Sequence, residues 1–197
     1  DAEHHPDSTL LPLALEKQKQ AIALEPEAAF VYNEMGVVEV LSGRPEAAER
    51  YFRMALEYSP TWGIPQMNLG VVLFQQGRTE QAKSAGYAAI RLAPWNPRSY
   101  LSLGNIFKSQ DSLAAAETLY RRALQLDPAY PDAHYNLACV QALRHQPGAA
   151  LESLRLAMLH GFDDLKLLRE DPDLTSVRDM TVFRGLLTEY FPESRRR

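Results

Sequence analysis

Four prolines, Pro26, Pro60, Pro94 and Pro128, stand 34 residues apart each time. Ahead of each lies a segment of one type: Ala-Ile-Ala-Leu-Glu, Ala-Leu-Glu-Tyr-Ser, Ala-Ile-Arg-Leu-Ala and Ala-Leu-Gln-Leu-Asp in turn. Small residues keep the same period at Gly36, Gly70, Gly104 and Ala138, at Ala48, Ala82, Ala116 and Ala150, and at Ala55, Ala89, Ala123 and Ala157. A chain that repeats itself at this interval is a stack of supersecondary units, each burying its apolar face against its neighbours.

With Ala29, Gly63, Pro97 and Pro131 as first positions, the fourth positions are Tyr32, Gln66, Tyr100 and His134. The seventh are Met35, Leu69, Leu103 and Leu137, and the eleventh Glu39, Leu73, Phe107 and Gln141. Together with the small eighth residue they fall on one helical face, and the small residue lets a second helix approach closely. The twentieth, twenty-fourth and twenty-seventh positions form the answering face, with Phe52, Gly86, Tyr120 and Leu154 at the twenty-fourth. Turn chemistry separates the two helices at Ser42-Gly43-Arg44-Pro45, Gln76-Gly77-Arg78-Thr79, Gln110-Asp111-Ser112 and His145-Gln146-Pro147-Gly148. Pro45 and Pro147 suit a first helical turn, where the missing N–H costs nothing. Each period proline ends the second helix by forcing the residue before it out of the αR region.

This pattern resembles the tetratricopeptide repeat, a 34-residue helix–turn–helix unit. The resemblance covers residues 12–164 and implies an all-α fold, a right-handed α-solenoid. A half repeat at 12–28 precedes full repeats at 29–62, 63–96, 97–130 and 131–164. An N-terminal extension, 1–11, stands before the array and a C-terminal capping segment, 165–197, after it. Glu39, Gln66, Gly86 and Gln141 depart from the bulky residues the family carries at those positions. Gly86 is expected to leave a packing gap that Tyr87 fills in part.

The half repeat leaves Leu13 and Ile22 without their usual neighbours. Residues 1–11, a second chain or the rest of a longer array would each supply the cover. At the other end, 165–169 reads as a short helix, Asp171-Pro172-Asp173 as a break and 177–190 as a final amphipathic helix. This ending is similar to the closing segment of many bacterial members of the family. A capping helix with a polar outer face is what a solenoid needs to stay in solution.

The 197 residues are 46% hydrophobic and 23% charged, a globular composition that excludes a disordered chain. A formal charge of −4 argues against a sequence-blind nucleic-acid binder. Apolar stretches such as 69–74 fall far short of the roughly 18 residues that span a bilayer, so membrane insertion is not expected. A chain starting at Asp1 fits signal-peptide removal or trimming, which leaves a soluble protein in the cytoplasm or exported.

Nothing in the chain meets the requirements of catalysis. The single cysteine, Cys139, excludes an intrachain disulfide and a cysteine zinc site. It follows His134 by five residues, about 140° round a helix, so thiol and base do not share a face. Asp1, Glu3, His4 and His5 read as a polar terminus. The glycines occur singly, without a phosphate-cradling loop, and Arg195, Arg196 and Arg197 read as a solvated tail or the start of a truncated segment. No catalytic residue, cofactor or metal is expected.

What remains is surface. In the family, the second, fifth, ninth and twelfth positions line the concave groove. Carried over, they are Phe30, Asn33, Val37 and Val40, then Ile64, Met67, Val71 and Phe74. The third repeat gives Arg98, Leu101, Asn105 and Lys108, and the fourth Asp132, Tyr135, Cys139 and Ala142. Asn33, Asn68, Asn105 and Asn136 would bond a peptide backbone. The family's carboxylate clamp for acidic C-terminal peptides is not matched: Asn68 is kept and Arg98 stands at the second position of the third repeat, but Asn33, Val37 and Ser102 replace a Lys, an Asn and an Arg of the clamp. The expected function is a non-enzymatic protein–protein interaction scaffold that takes a partner segment in its groove. The alternative is a structural subunit joining head to tail into an oligomer or filament, Leu13 and Ile22 of one copy meeting Phe183 and Leu187 of the next.

Overall fold

The computed structural model describes Leu13, Glu16, Lys17 and residues 28–192. Leu13, Glu16 and Lys17 are helical, and Leu13 is 53% exposed. Ile22, the rest of the half repeat, the extension and the three terminal arginines lie outside the described residues.

All regular structure among the described residues is helical, the all-α arrangement of a helical-repeat solenoid. Two compact units divide after Pro94. The first holds the hairpins α1 (Ala29–Leu41) with α2 (Pro45–Tyr58) and α3 (Gly63–Gln75) with α4 (Thr79–Leu92). The second holds α5 (Pro97–Ser109) with α6 (Leu113–Leu126) and α7 (Pro131–Leu143) with α8 (Pro147–Leu159). It closes with α9 (Leu165–Glu170), a 3-10 turn at Pro172–Leu174, α10 (Thr175–Arg178) and α11 (Thr181–Tyr190).

The four hairpins turn in one way. The amides of Arg44, Arg78, Ser112 and Gln146 donate to the carbonyls of Glu39, Leu73, Phe107 and Gln141 at 2.9–3.0 Å, the wide loop that closes a helix with one left-handed residue. That residue is Gly43 (φ 69°) or Gly77 (φ 74°) in the first unit, but Asp111 (φ 56°) and His145 (φ 58°) in the second. A side chain in this conformation meets its own carbonyl, so the last two turns are held at a local cost.

In the first three hairpins the eighth and twenty-fourth residues are matched by size. A Cβ on Gly36 would overlap three ring carbons of the buried Phe52, and one on Gly104 would sit 2.5 Å from Cε1 of the buried Tyr120. At Gly70 the answering residue is Gly86, and the backbones themselves close in: a Cβ there would lie 3.3 Å from Ala82 O and 3.5 Å from Gly86 N. Tyr87 does not fill the position, contrary to the sequence expectation; it is 54% exposed. Of the other departures, Glu39 is buried and paired with Arg44. Gln141 is buried and accepts from Ser153 Oγ at 2.7 Å.

The C-terminal segment corrects two expectations. Residues 177–190 do not form one helix, because Met180 is extended (ψ 138°) and separates α10 from α11. Phe183 and Leu187 are not an open end either. Both are buried in the second unit's core with Leu154, Met158, Leu168, Leu174 and Val177. The broad apolar face of α11 is consumed within its own chain, and Val182 is left on the solvent side.

Candidate protein-interaction surfaces

In the first unit the groove positions remain open. Phe30 is 59% and Ile64 39% exposed, while Val37, Val40, Met67, Val71 and Phe74 are half-buried. Val37, Val40, Leu41, Phe52, Asn68 and Val71 line a hollow of about 150 Å³ between α1 and α3. Helix α3 carries no charged residue, and α1 carries only Glu34 and Glu39, the latter paired with Arg44. Apart from the exposed Glu34 this face is apolar and uncharged, and a face of this kind marks a contact surface. Asn33 is not available to a ligand backbone as expected. It is buried, its Oδ1 accepts from Asn68 Nδ2 at 3.0 Å, and its own amide donates to Glu34 at 3.2 Å.

In the second unit the same helical positions meet the chain's own C-terminal segment. Lys108 Nζ donates to Asp173 Oδ2 at 2.6 Å. The Tyr135 hydroxyl donates to Asp171 Oδ2, and its ring stacks on Phe162 with centroids 4.3 Å apart. Cys139 Sγ is 3.7 Å from that Asp171 oxygen, and Ser176 Oγ donates to Ala142 O at 3.1 Å. Tyr135 is therefore buried, which removes it from the open groove in which the sequence places it. Arg98 and Asp132 stay exposed and Leu101 and Asn105 half-buried. Asn105 Oδ1 accepts from Tyr120 at 2.8 Å, and Asn136 Nδ2 donates to Asp132 O at 2.8 Å.

Sequence reasoning missed Asp171, Asp173, Phe162 and Ser176 as groove residues. The signal was present in Asp171-Pro172-Asp173, two carboxylates fixed on either side of a proline, which was legible only as a break between helices.

Electrostatics around this contact keep its donors in the donating form. Burial pushes the Tyr135 phenol up, and the neighbouring Cys139 and Asp171 add to it. Burial pulls the Lys108 ammonium down, but its bond to Asp173 together with the electrostatic influence of Cys139, Asp173 and Asp171 outweighs this and holds it above its ordinary value. The Cys139 thiol is pushed up to about 12 by burial, against the pull of Lys108. A thiol so placed is protonated at neutral pH and is not a nucleophile. Cys139, Asp171 and Asp173 offer three donor atoms within 4.8 Å of one another, but Tyr135 and Lys108 already bond these carboxylates. His134 is buried, with Nε2 2.9 Å from Pro128 O and its ring stacked on His160.

Residues 42–97 match the tetratricopeptide repeat family, and residues 104–143 match a second description of the same repeat. The chain is a tetratricopeptide repeat protein. A 58-residue segment is 38% identical to a chloroplastic protein of Arabidopsis thaliana, covering 29% of this chain and 17% of the relative. Among solved structures, the type IV pilus biogenesis factor PilW superposes with a TM-score of 0.77 at 19% identity, over 92% of this chain and 86% of PilW. YrrB, described as a tetratricopeptide repeat protein with an unusual peptide-binding site, superposes with a TM-score of 0.58 at 25% identity, over 79% of this chain and 80% of YrrB. The tetratricopeptide fold is that of a protein–protein interaction scaffold. No helix among the described residues is long and apolar enough to cross a membrane.

Proposed function

We propose that this tetratricopeptide repeat protein is a non-enzymatic scaffold that captures an apolar segment of a partner protein on the α1–α3 face of its first unit. The observation that carries this reading is the contrast between the two units. The uncharged face of Phe30, Val37, Val40, Ile64 and Val71 is open, whereas Tyr135, Cys139 and Ala142 are covered by the chain itself. An amphipathic segment with apolar side chains one helical turn apart matches such a surface. The peptide-binding site named for YrrB is in keeping with it. Head-to-tail assembly loses one of its two surfaces, because Phe183 and Leu187 are spent inside the second unit.

The test uses peptides selected from a random library on the full chain and measured by fluorescence polarisation. Val71→Glu with Phe74→Glu places two charges in a desolvated contact and should weaken binding by about 100-fold, with helicity by circular dichroism intact. Undiminished binding by the double variant, or selected peptides without apolar anchors, would sink the reading.

A further inference from the structure

The ammonium of Lys108 on α5 and the phenol of Tyr135 on α7 are both hydrogen-bond donors aimed at the segment that follows α9. The acceptors they meet are carboxylates two residues apart on one tight turn, Asp173 and Asp171. Pro172 restricts that turn, and Asp171 Oδ1 accepts from Asp173 N at 2.9 Å, so the two acids are presented as a fixed pair. Together with α9 the segment is built of helices of six, three and four residues, too short to persist by themselves. Leu174 and Val177, both buried, anchor it beside the acids. Leu168, Leu174 and Val177 hold the segment in the second unit's core, so an incoming segment must supply apolar cover of its own.

We propose that Lys108 and Tyr135 form a carboxylate-binding site on the second unit, filled in cis by Asp171 and Asp173, which an acidic Asp-x-Asp-Leu segment of a partner protein fills by displacing them. The site lies on different residues from the apolar face of the first unit and rests on the scaffold reading alone. Two donors at fixed spacing select a pair of anionic oxygens over neutral acceptors. The leucine of the incoming segment takes the place of Leu174 in the core. The protonated Cys139 thiol adds no negative charge against either ligand.

The experiment uses the full chain and a fluorescent peptide with the sequence of residues 168–177, read by polarisation. Wild type, with its site filled, should bind weakly. Asp171→Asn with Asp173→Asn keeps the turn's capping acceptors but removes both charges, and should bind the peptide about tenfold more tightly. Adding Lys108→Met should abolish that gain. In wild type, excess peptide should raise amide exchange across residues 172–178 and leave α7 protected. No gain in the Asn variant, equal binding of a peptide with both aspartates changed to asparagine, or full retention in the Lys108→Met background overturns the proposal. If the Asn variant does not fold, Lys108→Met alone decides: exchange across 172–178 must rise, and unchanged exchange refutes the site. Conversion of the wild type to dimers by exchange of this segment would overturn the partner assignment in favour of a second copy.

Discussion

Lys108 Nζ lies 2.6 Å from Asp173 Oδ2, 65 residues further along the chain. The pair joins the third repeat to the closing segment, and its partners are each about a quarter exposed or less. Replacing Lys108 with Met should lower stability by about 1 kcal/mol, since a part-buried pair is screened less than a surface one. The pH dependence has a definite sign. Lys108 is held above its ordinary 10.5, so its contribution is complete below that value and is lost as pH rises through the folded-state pKa. The melting-temperature difference between wild type and Lys108→Met should therefore be constant from neutrality to about pH 10 and shrink above it. A difference that vanishes at pH 7 would contradict the pairing.

Cys139 is the only thiol, so its reactivity reports on one place. Burial pushes its pKa up to about 12. A disulfide exchange reagent at pH 7.5 should label the native chain at least 100-fold more slowly than the chain in denaturant. Phe162→Ala removes the ring stacked on Tyr135 and should accelerate native labelling while the hairpins stay helical. Rapid labelling of the wild type would show that the C-terminal segment does not cover α7.

The match between Gly36 and Phe52 is testable as a double-mutant cycle. Gly36→Ala forces a methyl group into the Phe52 ring and should cost about 1–3 kcal/mol despite the better helix propensity of alanine. Phe52→Leu opens that space, so the double variant should be more stable than the sum of the two single effects. Additivity in urea denaturation would show that the two residues do not touch.

His145 turns the fourth hairpin at φ 58°, where the equivalent residues in the first unit are glycines. His145→Gly relieves the side-chain clash and gives back part of the gain as backbone entropy. A net stabilisation of about 0.5–1 kcal/mol is expected by thermal melting. Destabilisation would mean that the imidazole makes a contact worth more than the strain.

The period of the prolines and of the small residues determined, by itself, that α1–α8 form four hairpins. The spacing that places Tyr32, Met35, Gly36 and Glu39 on one face is a property of a single helix, and sequence periodicity reports such local geometry directly. The glycines at positions 36 and 104 were legible for the same reason: a close approach requires a missing side chain, whatever lies opposite.

The second unit's closed face was decided by tertiary structure alone. Nothing in the order of residues states that Asp171 and Asp173 return to Tyr135 and Lys108, because the chain's path after α8 depends on where Leu168, Leu174, Val177, Phe183 and Leu187 find apolar cover. Those side chains seek burial without direction. They pull the segment onto α7 and α8, and the two carboxylates arrive at the donors as a consequence. The apolar surface of α11, which in the sequence offers itself equally to a second copy, is satisfied by the same event. A hydrophobic pattern records that a face must be buried; only the folded chain records against what.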